Sequence, residues 1–185
     1  MNIPNFITLI RILLVPCFVI FLMDGRLNIA LITFFLAGLS DGLDGFLARL
    51  LKKKTVLGAF IDPIADKLLL TTSFVTMAIL NFLPGWIAVV VVSRDVIILV
   101  GFGVLMLNGK KFSIKPLLAS KLTTFVQIFT VLLFLGREQL TDYWFLRMHL
   151  LNLTALFTLL SGIQYIIIGF RILNHADNIK ESVYG

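Results

Sequence analysis

The chain has 185 residues, of which 59% are hydrophobic and 14% charged, with a mean hydropathy of +1.02; this excludes an ordinary water-soluble domain and places it among polytopic membrane proteins. A net charge of +6 and an isoelectric point near 9.7 do not imply nucleic acid, because Lys and Arg fall mainly in short breaks between apolar runs, where they set topology and attract anionic lipid. The single cysteine, Cys17, lies in an apolar run and excludes an intrachain disulfide.

Six segments are long enough to span a bilayer, close to residues 6–23, 29–51, 57–80, 86–107, 117–135 and 150–170. The expected fold is all-α, a single membrane domain over residues 1–185 with six transmembrane helices in one bundle. The breaks are short, so successive helices are expected to pack as antiparallel neighbours. Lys52, Lys53, Lys54, Lys110, Lys111, Lys115, Arg171 and Lys180 fall on one side, whereas Arg26, Arg137 and Arg147 fall on the other. The positive-inside rule therefore puts both termini in the cytoplasm, and Trp86, Tyr143 and Trp144 fall at the opposite interface.

The first segment lacks the basic cluster and small-residue cleavage site of a signal peptide. Pro4 and Asn5 precede it as a helix start, with Thr8 one turn on and Arg11 further along the same face, where it can snorkel.

The second and third segments hold the unusual chemistry. Asp41 and Asp44 are three residues apart, and Asp62 and Asp66 are four apart, intervals that put each pair on one helix face. An unpaired charge costs about 2.5–3.5 kcal/mol at a bilayer centre, so intramembrane carboxylates are functional by default. The lysine triplet between the pairs is too polar for hydrocarbon. A turn there brings all four carboxylates to one depth, in the cytoplasmic half. With only Arg49 in line, they carry an excess of negative charge that a hard divalent cation would neutralise. Gly42, Gly45 and Ala48 taken alone are ordinary packing residues; beside the Asp pairs they form a strip where a ligand or a backbone can approach. Gly58, Asp62 and Asp66 form one ridge, and Pro63 removes a backbone hydrogen bond that a ligand cavity can tolerate.

In the fourth segment, adjacent Arg94 and Asp95 either neutralise each other or leave Arg94 to bind an anion. With Lys115 and Lys121, Arg94 can form a phosphate-binding patch. The fifth and sixth segments otherwise read as bundle packing, His149 and His175 as surface residues, and residues 174–185 as a frayed polar tail.

The run Asp41-Gly42-x-Asp44-Gly45-x-x-Ala48-Arg49, eight residues, Gly58, three, Asp62, three, Asp66 resembles the CDP-alcohol phosphatidyltransferase family at every fixed position of its motif. The opening Ile-Pro-Asn and the six-helix layout extend the resemblance over the whole chain. It implies a multi-pass enzyme of the bacterial cell membrane, with its active site facing the cytoplasm, that displaces CMP from CDP-diacylglycerol with an alcohol. It implies Mg²⁺ or Mn²⁺, two ions, held by Asp41, Asp44, Asp62 and Asp66. Asp66 is either a further metal ligand or the catalytic base. Gly42, Gly45, Ala48, Arg49 and Gly58, with Asn5 and Thr8, would border the CDP moiety. The acceptor is expected to be glycerol 3-phosphate, its phosphate met by Arg94, Lys115 and Lys121. However, Ser93-Arg94-Asp95 departs from the Ser-Arg-Glu of such synthases, and Ser120-Lys121-Leu122-Thr123-Thr124 is more similar to the cardiolipin synthases, whose acceptor is phosphatidylglycerol. The glycine-rich faces allow a homodimer. A reading from another class, a divalent-cation transporter, explains the four Asp but not Arg49, Gly58 or the cationic patch.

Overall fold

The structure, a computed structural model, describes residues 3–50, 56–107, 118–136 and 144–184, with side chains described in 10–40, 67–101, 103, 119–136, 145–169 and 171. These residues form six helices and no strand: α1 (Ile3–Met23), α2 (Leu27–Leu50), α3 (Val56–Ile79), α4 (Gly85–Leu107), α5 (Leu118–Leu135) and α6 (Trp144–Tyr184). The expected all-α architecture is present, and α2 to α5 lie within two residues of their expected bounds.

Local chemistry sets two of the sharpest ends. After α1, Arg26 N–H donates to Phe21 O at 2.9 Å and Gly25 N–H to Leu22 O at 3.2 Å, the paired bonds of a Schellman cap. Gly25 has φ +72°, which a residue without Cβ adopts at no steric cost. The same cap closes α3: Phe82 N–H reaches Met77 O at 2.8 Å, Asn81 N–H reaches Ala78 O at 3.1 Å, and Asn81 sits at φ 57°. Asn is the side chain that best tolerates this region after Gly.

The sixth helix departs most from expectation. It begins at Trp144, six residues before the expected start, and runs unbroken for 41 residues, so the tail read as frayed is helical. Arg147 and His149, read as part of a polar break, are accommodated along the side of the helix. The Arg147 guanidinium lies 6.0 Å over the Phe134 ring, and the His149 ring meets Phe145 edge-on at 4.1 Å. Between Gly169 and Gly185 no Gly or Pro interrupts the helix.

Helix α1 packs on α2 and α3, α4 on α3 and α6, and α5 on α6, while α2 also meets α3 and α5. Phe18, Leu22, Phe34, Phe74, Met77, Ile87, Val91, Val131, Leu135 and Leu151 fill the core, with the Phe18 and Phe34 rings 5.7 Å apart. The α5–α6 seam is different, because polar side chains zip it together. Thr130 and Thr154 hydroxyls are 2.7 Å apart, Gln127 donates to Thr158 at 3.2 Å, and the Thr123 hydroxyl lies 3.0 Å from Phe157 O. All five of these hydroxyl and amide groups are buried. The outer surface is the reverse, with Phe125, Leu156, Leu159 and Ile163 exposed. Along this seam polar residues face inward and apolar residues outward, the reverse of the rule for a soluble domain.

Thr130→Val tests the seam. Thr154 keeps its bond to Leu150 O at 2.8 Å, so no donor is orphaned. The expected loss is about 0.6–1.7 kcal/mol, measured by SDS titration of the purified protein.

Candidate active site

Asp41 and Asp44 lie in the C-terminal half of α2, and Asp62 and Asp66 in the N-terminal half of α3. The two helices are joined through residues 51–55 and touch. Their helical state keeps each pair on one face, as the three- and four-residue intervals require. The side chains of these four Asp, and of Asn5, Thr8, Gly42, Gly45, Ala48, Arg49 and Gly58, lie outside the described residues, as does all of Lys115. Among the described residues no three His, Cys, Asp or Glu gather at metal-binding distance.

What is described begins one residue after the acidic motif. Lys67 follows Asp66 in α3, and its ammonium donates to Oδ1 of Asp95 in α4. The same oxygen accepts from Arg94 Nη1 at 2.7 Å, and the Thr71 hydroxyl lies 3.5 Å from Oδ2. Of the two readings that the adjacent Arg94 and Asp95 allowed, mutual pairing is thus present in the fold. The guanidinium does more than pair. Its Nη2 donates to Ser120 of α5 at 2.7 Å and to Ser161 of α6 at 3.0 Å, and Cζ lies 5.9 Å from the Tyr165 ring centroid. The Arg94 stem packs against α6 at Gly162, where a Cβ would sit in ordinary contact, 3.6 Å from Arg94 Cγ. One residue therefore ties α4 to α5 and α6, and Asp95 ties α4 to α3.

Arg94 is 2% exposed and Asp95 4%, so the pair is inside the bundle. Burial of two charges is tolerable because each is matched by the other and by further donors and acceptors. The Arg94 Nε–H has no hydrogen-bond partner among the described residues. Lys121 lies beside Ser120 on α5 but is exposed, so it shares the end of α5 with the network without entering it. Arg11, read as a snorkelling cation, is instead fully buried in α1.

Sequence reasoning missed Lys67, Ser120 and Ser161 as partners of the fourth helix. A hairpin centred near residue 82 places Lys67 opposite residue 97, within one turn of Asp95. That arithmetic was the available signal for Lys67; the serines had none.

Residues 1–173 match the CDP-alcohol phosphatidyltransferase family. The chain is 31% identical over 182 residues to the CDP-diacylglycerol–glycerol-3-phosphate 3-phosphatidyltransferase of Bacillus subtilis, covering 89% of this chain and 93% of that one. It is 33% identical over 179 residues to the protein of the same name from Wigglesworthia glossinidia brevipalpis, covering 92% and 96%. It is also 37% identical over 99 residues to the human cardiolipin synthase (CMP-forming), covering 53% of this chain and 33% of that protein. The acidic motif, the all-helical fold and a match over nearly the whole length agree, and the chain belongs to the CDP-alcohol phosphatidyltransferase family.

Proposed function

We propose that this protein transfers the phosphatidyl group of CDP-diacylglycerol to glycerol 3-phosphate, releasing CMP and giving phosphatidylglycerophosphate. The observation that carries the acceptor is coverage: the Bacillus subtilis and Wigglesworthia relatives named for glycerol 3-phosphate align over about nine-tenths of this chain, whereas the human cardiolipin synthase, like the Haemophilus influenzae protein named for glycerol 3-phosphate, aligns over about half. A second reading, phosphatidylglycerol as acceptor, is favoured by the Ser120-Lys121-Leu122-Thr123-Thr124 segment.

The setting is a membrane, crossed six times, with both termini and the active site on the cytoplasmic side. Helices of 21–24 residues for α1 to α4 correspond to roughly 32–36 Å, enough for a hydrocarbon core of about 30 Å. Among the described residues the stretch Phe145–Gly169 is long and apolar enough to span, and 28% of its apolar window is buried. A core helix of a soluble protein would hide most of that surface. Shorter apolar stretches in α1, α2, α3 and α5 present similar faces.

The chemistry follows from the donors. Carboxylate oxygens are what Mg²⁺ and Mn²⁺ take, and Asp41, Asp44, Asp62 and Asp66, from two touching helices, fit that requirement. Bound there, divalent ions would neutralise charge on the diphosphate. Asp66 takes the proton of the acceptor hydroxyl as its oxygen bonds to the phosphorus bearing diacylglycerol. The bond from that phosphorus to the CMP oxygen breaks, and CMP leaves with the electron pair. Gly42, Gly45, Ala48, Arg49 and Gly58, with Asn5 and Thr8, border the nucleotide, and Arg94, Lys115 and Lys121 provide positive charge for the acceptor phosphate.

The test is CMP release by purified protein in lipid micelles with CDP-diacylglycerol and Mg²⁺. Glycerol 3-phosphate and phosphatidylglycerol are supplied in parallel. Release with glycerol 3-phosphate alone is expected. Release with phosphatidylglycerol alone would replace the first reading by the second, and silence with both would refute both acceptors and point to another alcohol, then to the cation-transporter reading.

A further inference from the structure

Asp95 has no part in the reaction steps above, yet two cations from two helices converge on one of its oxygens. Lys67 and Arg94 both donate to Oδ1. A carboxylate that only locked α3 to α4 would need one of them. Arg94 in turn has its Nη2 fixed by Ser120 and Ser161, its stem lies beside Gly162, and its guanidinium carbon is 5.9 Å from the Tyr165 ring centroid. Its Nε–H is buried and has no hydrogen-bond partner among the described residues. Lys67 is more exposed than Arg94 and Asp95, with 26% of its side chain exposed against 2% and 6%, and it adjoins Asp66 in the chain.

We propose that Asp95 is a positioning residue for the acceptor phosphate: it holds the Lys67 ammonium and the Arg94 guanidinium at one spacing, so that both meet the phosphate together. The inference rests on the reading of Asp66 as the residue beside the reacting hydroxyl, and it adds Lys67 to the acceptor-binding cations. A lysine on four rotatable bonds loses much freedom on gripping a ligand. Prior restraint by Asp95 removes that loss from the binding step. The shared chemistry is a phosphate group, which glycerol 3-phosphate carries as a monoester and phosphatidylglycerol as a diester. Whichever acceptor the wild-type protein uses is the one to vary.

The experiment is steady-state CMP release by the full chain in micelles, with acceptor and CDP-diacylglycerol varied in turn, for Asp95→Asn, Asp95→Glu, Lys67→Gln and the double variant Lys67→Gln/Asp95→Asn. Asp95→Asn and Lys67→Gln are each expected to raise the acceptor KM about 10- to 100-fold and to leave the CDP-diacylglycerol KM within about twofold. If Asp95 acts through Lys67, the double variant is no worse than the poorer single one, and Asp95→Glu recovers most of the acceptor affinity. An unchanged acceptor KM in Lys67→Gln overturns the proposal even if Asp95→Asn fails to fold. So does a loss in Asp95→Asn that falls on kcat alone and follows its thermal unfolding. Wild-type protein that releases no CMP with either acceptor would refute both proposed acceptors, and the proposal with them; a wild type that works beside an indifferent Asp95→Asn refutes the positioning role alone.

Discussion

Asp41→Ala and Asp66→Ala are each expected to abolish CMP formation, by about three orders of magnitude or more, while the protein still inserts and folds. The two halves of this expectation have different origins. Loss of activity follows from chemistry. Transfer of a phosphatidyl group needs cations on the diphosphate oxygens and a base at the attacking hydroxyl, and in the proposed mechanism carboxylates at these positions supply both. Retention of fold follows from charge. On the proposed reading the four carboxylates share one site, so removing one would relieve repulsion inside a low-dielectric region. Asp→Asn at the same positions keeps the volume and removes only the charge, and is expected to be as inactive as Asp→Ala. Excess chelator should silence the wild type in the same assay, with recovery on adding Mg²⁺ or Mn²⁺. The checks are CMP release and, for folding, SDS titration and size-exclusion elution in micelles. Full activity in Asp66→Ala would remove the base from the mechanism, and inactive variants that no longer fold would make the cluster structural.

How far the fold could be read depended on whether the determining groups were local. The end of α1 was legible because Gly25 follows an apolar run, and the end of α3 because Asn81 and Pro84 interrupt one; both caps are built from residues adjacent in sequence. The start of α6 was not. Arg147 reads as a loop residue until Phe134, on a different helix, is known to lie beneath its guanidinium. The acidic motif was legible for the same local reason as the caps, since helical intervals alone put Asp41 with Asp44 and Asp62 with Asp66 on their faces. The network beside it was only half legible. Arg94 and Asp95 are neighbours in sequence, so their pairing could be anticipated, whereas Ser120 and Ser161 lie 26 and 67 residues away from Arg94 and become partners only through packing. Small hydroxyl residues in apolar helices give no sign of which way they face. The Thr and Gln ladder between α5 and α6 was read as plain packing for that reason.

Arg94→Met is expected to destabilise the bundle by about 3–5 kcal/mol, because it breaks a buried ion pair by removing one partner. Methionine keeps an apolar stem of similar length beside Gly162 and Tyr165, so the loss reports charge and hydrogen bonding more than volume. The change has two parts. Asp95 loses its 2.7 Å donor but retains Lys67, which holds the expected cost to the lower end of the range. Ser120 and Ser161 lose the one group that links them, and with it the tie from α4 to both α5 and α6. Arg94→Lys keeps the charge but not the fork, since a single ammonium does not reproduce the planar spread of donors across Asp95 and two serines. It is expected to recover less than half of the lost stability. SDS titration measures both variants, and CMP release at a temperature where each is folded separates the structural cost from the chemical one. If Arg94→Met is as stable as the wild type, the four-helix tie is not a source of stability, and the buried guanidinium must be retained for what it does to the acceptor. If it is unstable but fully active when folded, the tie is structural and Arg94 leaves the acceptor site to Lys67, Lys115 and Lys121.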